Sequence, residues 1–436
     1  MPSVTPRGEP PPLCAAGNGG STDHPIRPHC CQLSGTTTPQ TVVVNCWKHG
    51  GFTVAVSLGA DGSHRLQHRL TTQLEDAEHD ALDIAIRALP ACELRRAWLD
   101  CDEFSSQWVG AWPSDEHAIG VVEFPEVMAT YFGLESPLLR QLAGQRIPDG
   151  PADYRVCDPY GIQLASAVLP GRTWDDHHDE IARVVYRDVV ACGIRGDWSP
   201  HALFAGVIPA AAMRRVGGLR LGIIPDMRLR GVPFPDPTHV GRTVGHLFDL
   251  KTIHAGTSWY QSARAQEVRA HAVQSRALAV RAAYEAHARE LDQRYHGVSA
   301  DDVRRGRVGP GPILRQLRTF PTVVGIAFGA RGEASGSVHR LCDHAATMGA
   351  SAMWRTMGAR SEAEARGFLV ARLRRSWGVA AARAAAHLRV ARVGFAGMDT
   401  RVAQSLRRGG AAAGRGPVDA AVFMAGFDPA VDRRRV

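Results

Sequence analysis

Apolar and polar positions follow readable periods over most of this chain. Residues 41–44 and 52–56 are apolar, β-branched runs on either side of Gly50-Gly51, which predicts two short strands. Residues 74–98 carry Leu82, Ile84, Ile86 and Leu89 in a helical pattern, with acids early and Arg95 and Arg96 late, as a helix dipole favours. A strand over 119–124 and a helix over about 126–144 follow, and Ile147-Pro148-Asp149-Gly150-Pro151 reads as a linker. From 173 to 192 the helical period returns through Ile181, Val184, Val185 and Val189, with Asp175 and Asp176 in the first turn. Residues 202–208 are a weak strand pattern, 219–229 alternate, and 241–253 form a longer strand-like run. Thr257 is placed to cap a long helix reaching Tyr295. Residues 322–328 are an unbroken apolar stretch of strand length, as a strand buried on both faces requires. Residues 337–394 are helical in pattern and rich in Ala and Arg.

This order predicts an α/β chain. A disordered segment rich in Pro, Gly, Ser and Thr spans 1–40, and a small α+β domain spans 41–150. A core with a mixed central sheet flanked by helices spans 165–335, because a helix between two strands suggests a parallel crossover. A helical extension at 336–395 and an Arg-rich, disordered tail at 396–436 complete the chain.

Composition narrows the partners. The formal charge is +8 over 436 residues, which favours polyanions such as DNA, although a bias toward Arg, Ala and Gly accounts for the same charge. The cysteines number nine, an odd and scattered set that suits reduced thiols in an intracellular protein, nuclear or cytoplasmic. No apolar run reaches the roughly 20 residues of a membrane helix, and the first 40 residues hold no apolar core like that of a signal peptide. Secretion and membrane insertion are therefore not expected.

The chemistry concentrates where the composition is least typical. Lys48 and Lys251 are the two lysines among 51 basic residues. Lys251 closes Asp249-Leu250-Lys251 on the strand pattern of 241–253, and Pro225-Asp226 ends the preceding apolar run. Alternation along a strand points Asp249 and Lys251 to one face and Leu250 to the other, into the core. Asp226 and Asp249 on neighbouring strands supply two carboxylates, and the Leu250 carbonyl is free to complete a shell of hard oxygen ligands. Mg²⁺ uses one or two carboxylates and keeps several waters. Lys251 beside the attacking water orients it or stabilises the transition state, a task that a bulky, permanently charged Arg performs poorly.

These residues resemble the PD-(D/E)xK nuclease superfamily, the restriction-endonuclease-like fold, over about 170–330. The resemblance implies an Asp on the second strand, the acid-x-Lys on the third, a helix before the sheet, and a helix and a fourth strand after it. It implies Mg²⁺, or Mn²⁺, bound by Asp226, Asp249 and the Leu250 carbonyl, Lys251 as the catalytic lysine, and DNA as substrate. It also implies an acid from the first helix. Glu180 is best placed for that role, with Asp179 and Asp188 behind it. A Gln or Tyr from the following helix is a further feature of some members, and Gln261, Gln266 and Tyr260 are the candidates. Modules of mobile genetic elements are among the possible relatives. This chain has Asp249 where Glu is more frequent, and a second Pro-Asp at Pro235-Asp236, whose neighbouring prolines disfavour a central strand.

Arg264, Arg269, Arg276 and Arg281 form a possible phosphate-contacting face, or else a solvated face paired with Glu267, Glu285 and Glu290. His254 either lines the cleft or is a structural histidine, and His177 and His178 read as surface residues at a helix start. The residues from Gly325 to Gly332 read as a strand-to-loop turn, with Glu333 near the cleft. His24, His29, Cys30, Cys31, Cys46 and His49 match no regular zinc finger. The alternative to an active enzyme is an inactive nuclease fold that binds DNA or another partner.

Overall fold

The computed structural model describes residues 41–46, 52–57, 66–111, 114, 116–150, 153–210, 215–216, 219–220, 223–232 and 245–399. The expectations for 1–40, for the tail from 400 onward, for Asp236 and for His24, His29, Cys30, Cys31 and His49 lie outside the described residues. By internal contacts the chain divides into Met1–Ala81 and Leu82–Val436. The first unit holds an antiparallel hairpin, β1 (Thr41–Cys46) and β2 (Phe52–Ser57), with Thr41 opposite Ser57. The first helix, α1 (Leu66–Arg87), starts in this unit.

In the second unit Pro90 shapes the helix pattern of 74–98. Proline excludes the helical conformation for the residue before it and lacks a donor, so α1 stops at Arg87 and α2 (Glu93–Asp100) is separate. The 119–124 strand does not form. Its end belongs to α3 (Glu123–Phe132), closed by Gly133 in the left-handed conformation. The expected linker instead contributes β3 (Arg146–Asp149), antiparallel to β4 (Asp153–Val156).

The elements around the site then follow in order. They are α4 (Ile162–Ser166), α5 (Thr173–Ala191), β5 (Gly196–Trp198), β6 (Arg215–Val216), β7 (Leu219–Arg220), β8 (Met227–Leu229) and β9 (His246–Thr252). After them come α6 (Ser258–Gln261), α7 (His271–His296), α8 (Ala300–Arg304), α9 (Pro312–Leu317), β10 (Val323–Phe328), α10 (Gly336–Met353) and α11 (Glu362–Arg392). The central sheet has the order β10-β9-β8-β5. β8 runs antiparallel to both β5 and β9, whereas β10 lies parallel to β9 after the α7 crossover. The chain is thus mixed α/β, as expected.

Alternation along β9 builds two cores. Phe248 and Leu250 face Ile181, Val185, Leu341 and Trp377 from α5, α10 and α11. Leu247 packs on the other side with Val280 and Leu291 of α7. The first core also includes Phe104, whose ring stacks on Trp377 with centroids 6.0 Å apart. Trp108 and Val127 pack with Val379, Ala382 and Ala386 of α11. Residues 82–150 therefore share their apolar core with α11. Among the described residues no helix is long and apolar enough to cross a membrane.

Candidate active site

The antiparallel register brings the two aspartates together. Met227 pairs with Phe248, so one step outward Asp226 falls opposite Asp249. The Leu250 amide donates to Asp226 Oδ2 over 2.7 Å, which fastens the carboxylate to the backbone of the Asp-x-Lys strand. Both carboxylates are buried, at 6% and 3% exposure. Lys251 Nζ lies 2.5 Å from Asp249 Oδ2, and Tyr284 of α7 donates to Asp249 Oδ1 over 2.8 Å. Leu250 itself is fully buried, its side chain packed in the core.

The most informative arrival is His178. Its Nε2 is 3.2 Å from Asp226 Oδ2 and 3.1 Å from the Leu250 carbonyl, and its Nδ1 is 3.0 Å from Asp179 Oδ1. All three partners are acceptors, so both ring nitrogens carry protons and the ring is an imidazolium. Burial opposes that charge, but the hydrogen bonds to Asp179 and Asp226 outweigh it and raise the His178 pKa to about 10. Asp226 is likewise disfavoured by burial, yet its bonds to His178 keep it below the ordinary carboxylate range. Asp249 goes the other way: burial, then the adjacent Asp226 charge, raise its pKa despite Lys251 and Tyr284. The two carboxylates are thus unequal, one held ionised and one biased toward the proton.

Several expectations about individual residues change. His178 is not a surface residue at the helix start; it reaches the site, and His177 is buried beside His254, with ring centroids 5.5 Å apart. Glu180, the acid expected from that helix, is drawn away to Arg383 of α11, 2.6 Å from its guanidinium. Asp179 supports His178, and Asp188 pairs with Arg187. The helix expected from Thr257 to Tyr295 is broken at Ala270, which adopts a positive φ, so Arg264 and Arg269 precede α7 and are exposed. Gln261 lines a separate cavity with Arg96, Tyr260 and Arg331. Tyr260 is buried and bonds Glu333, while Ala330 donates to its hydroxyl. Glu333 is fully buried in that network, where burial and the Asp100 charge push its pKa up to about 8. His254 stacks on Trp174 with centroids 5.6 Å apart, and burial together with the Arg392 charge lowers its pKa to about 4. It lines a small cavity with His177, Arg331 and Arg389.

Asp249 and Lys251 open into a cleft of about 310 Å³ whose other walls include Ile223, Arg276, Tyr284 and His287. Tyr284 was legible in sequence only as one apolar position of a helix. Its hydroxyl is its one polar feature, and a lone Tyr on a helix is a weak signal.

A hard cation suits the donor chemistry: Asp226 and Asp249 carboxylates, the Leu250 carbonyl and, once deprotonated, the His178 ring. Asp249 Oδ2 is buried without a hydrogen bond, its contact being the ion pair with Lys251. Among the described residues no set of three or more His, Cys, Asp or Glu side chains converges as a ready-made metal cage. Two carboxylates, a carbonyl and water are nonetheless sufficient for Mg²⁺. The chain matches no family model, no curated protein and no solved structure.

Proposed function

We propose that this chain is a PD-(D/E)xK-type nuclease that hydrolyses DNA phosphodiester bonds with Mg²⁺ or Mn²⁺. The observation that carries the reading is the register that sets Asp226 opposite Asp249, with Asp226 bonded to the Leu250 amide and with Asp249 and Lys251 paired on the wall of one cleft. The strand order supports it: a helix, three antiparallel strands, a crossover helix and a parallel fourth strand. The composition supports it too, because an ammonium group stands here in a chain that otherwise uses Arg.

Asp226, Asp249 and the Leu250 carbonyl would hold the cation, which when bound lowers the pKa of water and offsets charge on the phosphoryl oxygens. Lys251 is the residue for the attacking water and the developing charge, because it is a compact donor with 29% of its side chain exposed. Tyr284 fixes the orientation of Asp249 by holding Oδ1. His178 fixes Asp226 and, after losing the proton on Nε2, presents a further donor atom to the same place.

One observation favours a second reading. The His178 imidazolium already spans Asp226 and the Leu250 carbonyl. A chain that keeps this arrangement would be an inactive nuclease fold that binds DNA without cutting it.

The test is cleavage of DNA with Mg²⁺ or Mn²⁺ by wild type, Lys251→Ala and Asp249→Asn. The nuclease reading expects a loss on the order of 10²–10³-fold in each variant. Equal cleavage by wild type and Lys251→Ala removes the lysine from the chemistry. DNA binding without metal-dependent cleavage by wild type selects the second reading.

A further inference from the structure

The cleft holds a charge that its own residues do not neutralise. Lys251 is paired with Asp249, and His287 lies 3.6 Å from Glu290. Arg276 lines the same cleft from the second turn of α7. Among the described residues it has no carboxylate in ion-pair range and no hydrogen-bond acceptor. Its guanidinium carbon lies 5.6 Å from the centre of the Trp259 ring. Stacking on an aromatic face leaves the edge N–H groups of a guanidinium free, and that edge is the part that matches two oxygens of a phosphate.

The neighbouring arginines behave differently. Arg281 is 3.6 Å from Glu285, and Arg289 is 2.8 Å from the same residue. Arg276 is set apart by its aromatic platform, its unpaired charge and its place on the wall facing Asp249 and Lys251.

We propose that Arg276 holds a backbone phosphate of a nucleic-acid strand in this cleft, next to the phosphodiester presented to Asp249 and Lys251. The proposal rests on the nuclease reading for the identity of the ligand. Arg276 acts by positioning: it fixes where along the strand the bond falls, and Trp259 fixes the plane of its guanidinium.

Binding and cleavage separate this proposal from the reading beneath it. A fluorescein-labelled single-stranded oligodeoxynucleotide and its duplex are titrated by anisotropy in Ca²⁺ over a series of salt concentrations, and cleavage is followed separately in Mg²⁺. Arg276→Ala is expected to weaken binding about tenfold. It is also expected to reduce the slope of log affinity against log salt by about one. Arg276→Lys restores the slope, because the charge returns, but regains only part of the affinity. Trp259→Leu keeps the slope and loses a few-fold in affinity. In cleavage, Arg276→Ala raises KM while kcat falls much less. Unchanged affinity and slope in Arg276→Ala overturn the proposal even if the wild type cuts DNA, as does failure of the wild type to bind either oligonucleotide. Loss of affinity and slope in Arg276→Ala, beside a wild type that binds but never cuts DNA, upholds it and overturns the hydrolase reading instead.

Discussion

His178 shows how a single side chain sets the electrostatics of the site. Its pKa is raised to about 10 from an ordinary 6.5, so its contribution to stability is full below pH 6.5 and is lost as the pH rises through about 10. His178→Ala should therefore flatten thermal unfolding measured against pH across that window. At neutral pH the variant should be about 1–3 kcal/mol less stable, because the buried Asp226 carboxylate loses a charged donor. The same proton opposes metal, since a ring that joins the ligand set must first release it. The thermal shift on adding Mn²⁺ should consequently grow between about pH 7 and about pH 9 in wild type. A shift independent of pH would mean that His178 stays out of the metal shell. Glu333 carries a second pH signature away from the cleft. Its carboxyl is raised from 4.5 to about 8 by burial and by Asp100, so the wild type should lose stability as pH rises from 4.5 to about 8. Glu333→Gln keeps the shape and cannot ionise, and denaturant titrations at several pH values should find that loss absent.

At the scale of elements, β10 was legible as an unbroken apolar run of strand length and β9 as a stretch rich in apolar residues, and their parallel pairing followed from the helix between them. Asp249, Leu250 and Lys251 were legible for the same reason: alternation on an identified strand fixes which side each residue takes. His178 and Tyr284 were not, because each reaches the site from a helix, and which helical residue meets which strand is decided by packing across long sequence separations. Glu180 was misjudged for the matching reason, since its partner Arg383 lies on a distant helix. The close approach of α7 to the sheet depends on Gly325, which pairs with Asp249 in the β9–β10 ladder. A Cβ at 325 would run into the carbonyl oxygen of Ala277 on α7. Backbone cannot yield there as a flexible side chain would. Gly325→Ala should cost about 1–3 kcal/mol in urea unfolding. It should also push α7 outward, carrying Tyr284 and Arg276 away from Asp249, so the proposed nuclease activity should fall further than stability alone explains.

Across the whole molecule, net charge is a poor guide to the surface a polyanion would meet, because several arginines are internal. Arg392, 1% exposed, donates to Thr173 and to the carbonyls of Leu164, Ala165 and Ala167. Arg331 reaches Glu93 and Asp100, and Arg96 donates to the carbonyls of Tyr260 and Ala265. The Arg331 and Arg96 contacts tie residues 82–150 to the core, and apolar packing does the same. Phe104 is fully buried against Trp377 and Phe328, and Trp108 packs on α11. Sequence periodicity marks elements but does not say which of them share a core, so the part of the expected 41–150 domain from Leu82 onward was indistinguishable from a layer of the larger unit. The distinction is measurable. A chain starting at Leu82 should unfold in one cooperative transition. A chain starting at Ala152 strips Phe104 and Trp108 from α11, and emptying the Phe104 site alone costs about 3–5 kcal/mol, a large part of the roughly 5–15 kcal/mol that holds a domain together. That shorter chain should lose the sharp transition and bind a dye specific for exposed apolar surface. A cooperative transition in the shorter chain would restore the separate-domain reading and free α11 from its role as the helix on which both parts are built.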